Sequence, residues 1–440
     1  MSGFRGLLII LVLVVWPLAA FGGRSASTAK AFGTVALLAA LVVGVRLRGA
    51  LDRAILTVGA CLALQAIPLP RAIVEAVSPH AARVRGSLTL SGVSPNVLPL
   101  SIDASATLWA LTVFAGAAAL FWIARAQFAR GGVRRTTRSI AALGSVVSFV
   151  AIAQAATAGR KIYWYFPTEV EGPLPFGPFV NRNHFATWAI MVLPLTLGYL
   201  AARIGRRRDE AAHIAPRRRL ATMTDPRSAW LLAASAILLA ALLLSLSRSG
   251  ALALAASLAL TTAATARRLD RTRRRGALAA LAGVALLGVM WADLPALRER
   301  FAGTQVGVAN RLVIWRETGP VIRDFWLTGT GAGTYEKAMR VYQHSDRTVF
   351  FNQAHSHYMQ AAAEGGLVLA VALLIAGFAF VRLARDRIRQ DESGLAWIRI
   401  GAACGLGAAA LQSVWETGLT MPANAAIAAV LAAVVTCRKE

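Results

Sequence analysis

The sequence predicts an all-α polytopic membrane protein with about twelve transmembrane helices, and three observations carry that expectation. First, 57% of the 440 residues are hydrophobic and only 15% are charged, whereas a soluble domain is about 45–50% apolar and about 25% charged. Second, twelve segments approach the ~20 apolar residues that a helix needs to cross the hydrocarbon core. They are 6–22, 31–45, 54–68, 105–124, 139–157, 184–202, 229–246, 251–266, 276–292, 366–383, 395–414 and 420–436. Third, the connections between them are alternately rich and poor in arginine.

The first segment follows Arg5 and ends in small residues, Ala19 and Ala20, as a signal peptide does. So many apolar runs follow that it reads as an uncleaved first span. Several spans are short, which suits tilted packing in a bundle. The stretch 69–104 contains IVEAV at 73–77, which reads as a helix lying in the membrane interface. Segment 158–183 holds Pro173, Pro175 and Pro178 and cannot be a regular helix throughout. Between the ninth and tenth spans lies the longest connection, 293–365, whose aromatics and mixed charge favour an ordered, working loop. No internal repeat divides the chain, so 1–440 reads as a single transmembrane domain. Cys61, Cys404 and Cys437 lie in or beside apolar runs without a zinc or disulfide spacing.

The 47 Lys+Arg against 21 Asp+Glu give a formal net charge of +26. In a soluble protein this would suggest nucleic acid. With both termini cytoplasmic, however, 29 basic and 9 acidic residues fall on the cytoplasmic side, and 17 basic and 12 acidic on the other. Arg399 lies inside a span. That asymmetry follows the positive-inside rule, so the charge reports orientation, and no nucleic-acid partner is expected.

Three polar groups stand out on the non-cytoplasmic side. Asn181-Arg182-Asn183-His184 opens the sixth span. Its asparagines suit helix capping, while Arg182 either snorkels or offers a fork of donors to a phosphate beside a helix N-terminus. Ser247-Arg248-Ser249-Gly250 forms a very short connection. It places Arg248 at the membrane edge, as a snorkelling residue or a functional one. The long loop carries Arg311 and Trp315, one helical turn apart and able to share a face. It also carries the run Gly329-Thr330-Gly331-Ala332-Gly333-Thr334, and then His355-Ser356-His357 and Glu364-Gly365-Gly366. The glycine run lacks the Lys-Ser/Thr of a P-loop and reads as a flexible turn. The two histidines lack further ligands for a metal. One of them suits a base or an orienting group.

At these residues the sequence resembles the O-antigen ligase and polymerase superfamily. The matching text is NRNHFATWAIMVLPL (181–195), SLSRSGALAL (245–254), RLVIW (311–315), GTGAGTY (329–335) and AHSHYMQAAAEGGL (354–367). His355-Ser356, with Gly365 ten positions after the histidine, resembles the family's H-[NSQ]-x9-G-like element. Arg311 fits its R-x3-L element, except that Trp315 stands where leucine is typical. The resemblance covers a core of about 181–370.

The resemblance implies a GT-C-like enzyme of the bacterial inner membrane. It would move an oligo- or polysaccharide from an undecaprenyl-pyrophosphate donor onto an acceptor hydroxyl at the periplasmic face. The acceptor would be lipid A-core, a growing glycan or a protein. By similarity, Arg182, Arg248 and Arg311 bind the pyrophosphate and His355 serves the acceptor. Asn183, His184, His357 and Glu364 are accessory candidates. No cofactor and no metal is implied. Consistent with that, no Asp-x-Asp occurs, and GGRSASTAK (22–30) has no acid. The competing reading is a polytopic transporter of a small solute or glycan. Its usual repeats and midplane polar sites are not visible.

Overall fold

The computed structural model describes residues 3–23, 25–88, 96–168, 175–210, 225–265, 311–345, 347–348 and 350–438. Among these, eleven of the twelve predicted spans coincide with a helix. They are α1 (Gly3–Ala19), α2 (Ala26–Val43), α3 (Ala50–Ala66), α6 (Ala104–Phe128), α7 (Val133–Thr157), α8 (Arg182–Glu210), α9 (Pro226–Leu244), α10 (Arg248–Thr265), α13 (His357–Gln390), α14 (Leu395–Gln412) and α15 (Pro422–Thr436). The ninth predicted span, 276–292, and residues 293–310 of the long loop lie outside the described residues. Among the described residues, seven helices (α2, α6, α7, α8, α9, α13 and α14) are long and apolar enough to cross a membrane. The apolar helices α1 and α15 are shorter. Four further helices are α4 (Arg71–Val77), α5 (His80–Leu88), α11 (311–324) and α12 (Tyr335–Tyr342).

Local chemistry sets several helix starts. Ser25 accepts the Thr28 N–H at 3.2 Å to open α2. Asp103 takes the Ser105 and Ala106 N–H groups to open α6. Asp225 does the same for Arg227 and Ser228, with Pro226 at the first helical position. Helix α8 runs through the core, with Phe185, Trp188 and Ile190 fully buried. Helix α14 crosses it at glycines. A Cβ on Gly401 would lie 2.3 Å from the Pro194 oxygen, and one on Gly198 would lie 2.4 Å from the Trp397 oxygen. Close backbone approach of this kind is how helices associate in lipid, where hydrophobic burial gains little.

The two ends of the bundle differ. At the arginine-rich end, acids and arginines are paired between helices. Asp52 accepts from Arg125 at 2.6 Å and from the Trp122 indole at 3.0 Å. Asp225 meets Arg203 through two bonds of 2.8 and 3.1 Å. Arg399, counted inside a span from the sequence, is buried. It donates to Asp391 at 2.8 Å and to the carbonyls of Val434, Val435 and Cys437 that end α15.

At the other end, the described parts of the 69–104 stretch and of the long loop pack together into a cap layer around Val74, Val84, Phe325, Met339 and Tyr342. Tyr342 and Arg83 both donate to Asp324, at 2.8 and 3.1 Å, which ties the two segments. The helix expected at 73–77 exists within α4, but it buries Val74 in this layer. Val74 packs on protein, while Ile73 on the same helix stays exposed.

The glycine run is no flexible turn. Gly329 donates to the Phe325 carbonyl, Thr330 to Ala363, Gly331 to Glu364 and Thr334 to Gly331. The Ala332 N–H goes to the Gln65 side chain at 3.0 Å. With its N–H groups spent in this way, the run has no cradle for phosphate. It clasps the start of α13 instead. That helix kinks at Gly366 (φ 58, ψ −163). The kink frees the Leu367 and Val368 N–H groups, and the carbonyls of Trp326 and Leu327 take them at 2.7 and 3.1 Å. A Cβ at Gly366 would lie 2.5 Å from the Gly329 nitrogen and 2.6 Å from the Leu327 oxygen. Few residues but glycine reach that φ/ψ region. Gly366→Ala is therefore expected to open the clasp and lower the thermal midpoint in detergent by several degrees. Gly377→Ala, inside the same helix with open space around it, should not lower the midpoint, since alanine favours the helix.

Candidate functional site

The cap end gathers residues from four elements. Helix α8 contributes Arg182 and Asn183, α11 contributes Arg311, the irregular segment before α13 contributes His355, and the turn after α14 contributes Glu416, which the sequence did not single out. The hub is Glu416, whose side chain is only 1% exposed. Its Oε1 accepts from Arg311 at 2.7 Å and from the Asn183 amide at 2.7 Å. Its Oε2 is buried and has no hydrogen-bond partner among the described residues. Burial pushes the Glu416 carboxyl up to about 7, while the charges of Arg311 and Arg182 pull it back. Arg182 therefore lies within electrostatic reach of the same carboxylate.

Arg311 remains 29% exposed. A guanidinium has five N–H donors in a planar fork, and a single bond to Glu416 leaves most of them available to an anion. Arg248 begins α10 at the same end, after a turn in which Leu246 adopts φ 55. Its neighbour Ser249 meets the Gln412 amide at 3.4 Å, and Gly250 packs against Ala186, one turn beyond Arg182. Asn181 performs the capping expected of the asparagines, since its Oδ1 accepts the Asn183 N–H at 2.9 Å.

His355 is held in the left-handed region at φ 48, an uncommon conformation for a residue with a Cβ and a frequent mark of functional sites. Its Nδ1 is buried and has no hydrogen-bond partner among the described residues. Burial, with the Arg311 charge beside it, pushes the imidazole down to about 4. It is therefore neutral at pH 7 and can take up a proton. The accessory candidates separate. Asn183 is in the cluster. His357 starts α13 and donates its N–H to the Ser413 carbonyl at 2.8 Å. His184 is buried in the bundle, and its carbonyl accepts from Asn424 at 3.0 Å. Glu364 belongs to the clasp, where it accepts the Tyr335 N–H at 3.0 Å. Gln360 connects it to the site, donating to Glu364 and accepting the Ala354 N–H.

Glu416 was missed from the sequence. Its signal is there in Trp415-Glu416-Thr417-Gly418, an acid just past an apolar span, where burial is costly unless a cation is near.

Residues 233–374, about a third of the chain, match the family model described as O-Antigen ligase. This stretch is similar to the O-antigen ligase family. No curated protein matches the chain. The matched stretch contains Arg248, Arg311, His355 and the glycine run of the clasp, while Gln65, Arg182, Asn183 and Glu416 lie outside its bounds and reach it only through the fold. Among the described residues, no group of three or more His, Cys, Asp or Glu side chains is placed to hold a metal ion.

Proposed function

We propose that the protein transfers a glycan from an undecaprenyl-pyrophosphate donor to an acceptor hydroxyl at the periplasmic face of the bacterial inner membrane. Both termini are then cytoplasmic. In this reading, twelve spans form one GT-C-like domain over 1–440, with 293–365 as its periplasmic loop and 181–370 as its working core. One observation carries the reading: inside and beside the stretch that matches the O-antigen ligase family model, Arg311 and Arg182 converge on one buried carboxylate next to a neutral histidine whose Nδ1 has no partner among the described residues. The arginine-poor side of the bundle is the side that holds this cluster, in keeping with the positive-inside rule.

The chemistry balances without a covalent enzyme intermediate. His355 takes the proton of the acceptor hydroxyl as its oxygen bonds to the anomeric carbon. The bond from that carbon to the pyrophosphate oxygen breaks, and undecaprenyl pyrophosphate leaves with the electron pair. Arg311, Arg182 and Arg248 hold the charge that accumulates there. His355 then returns its proton to solvent or to the leaving phosphate. Lipid A-core, a growing glycan and a protein hydroxyl all satisfy this scheme as acceptors.

The test is transfer by the purified protein. In proteoliposomes with lipid-linked glycan extracted from cells lacking this protein, and the same cells' envelope lipids as acceptor, glycan should become joined to acceptor with no ion gradient. Cells lacking the protein should accumulate lipid-linked glycan. Glycan crossing the membrane with no new bond formed would replace the transferase with a carrier. Arg53→Ala, an exposed change at the arginine-rich end, should leave transfer within about twofold of wild type, as surface changes away from such features generally do.

A further inference from the structure

We propose that Trp315 is a positioning residue that fixes the spacing between Arg311 and His355, an inference that rests on the transferase reading above. The Trp315 indole N–H donates to the Ala354 carbonyl at 2.9 Å. Ala354 is fully buried and immediately precedes His355. Arg311 and Trp315 stand four residues apart on α11, so one helix face carries both the arginine that reaches Glu416 and the indole that reaches the histidine segment. The donor-binding fork and the brace on the histidine segment are thus mounted on the same short rod.

The rest of the segment explains why such a brace is needed. A left-handed His355 persists only if its neighbours over-determine it. Ala354 gives its N–H to Gln360 at 3.3 Å, and His357 gives its N–H to Ser413 at 2.8 Å. Ser356 caps α13 by accepting the Met359 N–H at 3.4 Å. Of these ties, Trp315 alone connects the segment to α11. A leucine there, typical of the resembled family, has no N–H to give. This chain therefore holds its histidine by a bond that its own sequence supplies.

Trp315→Phe keeps a flat ring and removes the N–H. In the proteoliposome assay it should lower kcat roughly tenfold, because a misplacement near 1 Å costs more than that and a single lost bond less. Donor KM should stay within about twofold, since Arg311 keeps its own tie to Glu416. In a His355→Ala background the same substitution should cost nothing further, because the group it positions is gone. Trp315→Leu should behave alike and serves if the phenylalanine variant folds poorly, with folding judged by thermal unfolding in detergent. Wild-type kcat in a folded variant overturns the proposal. So does an equal fold-loss with and without His355, or a change confined to donor KM. If His355→Ala alone transfers at the wild-type rate, the transferase assignment of His355 fails first, and the two failures are thereby told apart.

Discussion

His355→Ala should lower transfer by about 10²- to 10⁴-fold, the range general acid–base groups supply, with folding intact and lipid-linked glycan accumulating. Its pH dependence is the sharper test. Burial and Arg311 hold the free imidazole at about 4. The acid limb of kcat/KM, which reports the free enzyme, should therefore lie near 4, below the ordinary histidine value of about 6.5. A donor pyrophosphate on Arg311 brings negative charge beside the imidazole and offsets the cation that depresses it. The acid limb of kcat, which reports the loaded enzyme, should then move upward from 4. The histidine becomes a better base when the donor is in place. Coincident limbs near 6.5 in both profiles would show that His355 is neither buried nor coupled to Arg311.

The sequence made the bundle legible because spans are specified locally. A run of about 20 apolar residues is a helix wherever it lies in lipid, and eleven of the twelve segments coincide with described helices. Arg311 and Trp315 were placed on one face by their spacing alone, and each makes a contact from that face. What stayed hidden are the partnerships between distant segments. Gln65 bridges Thr328, Glu364 and Ala332 across more than 260 positions, and no local pattern announces a glutamine as the hub of a clasp. The glycine run looked mobile because glycine permits many conformations. In the fold those conformations are used to bring its N–H groups to fixed acceptors. Glu416 shows the same limit. An acid past the end of a span reads as a solvated loop residue until α8 and α11 are seen to converge on it.

Arg311→Ala is expected to reduce transfer by about 10²- to 10³-fold, the usual effect of removing one preorganised donor from a developing charge. Lysine should not restore it, because an ammonium lacks the fork. The fold should survive. The substitution strands Glu416 with Asn183, but a carboxyl already near 7 can stay neutral by keeping its proton. Stability against pH then exposes the coupling. Glu416, raised in the folded state, stabilises the fold fully below about 4.5, and that contribution is lost as pH rises through 7. His355, depressed in the folded state, acts oppositely: its contribution is present above about 6.5 and lost as pH falls through 4. In wild type the two oppose each other across the window from 6.5 to 4.5. Removing Arg311 raises both groups, because it is a cation beside each. The Glu416 contribution grows and the His355 loss shrinks. Relative to wild type, the thermal midpoint of Arg311→Ala should therefore rise as the buffer is taken from pH 7 to 5. Parallel midpoint curves for the two proteins would mean that Arg311 acts on neither group, and would remove the electrostatic link between donor site and base.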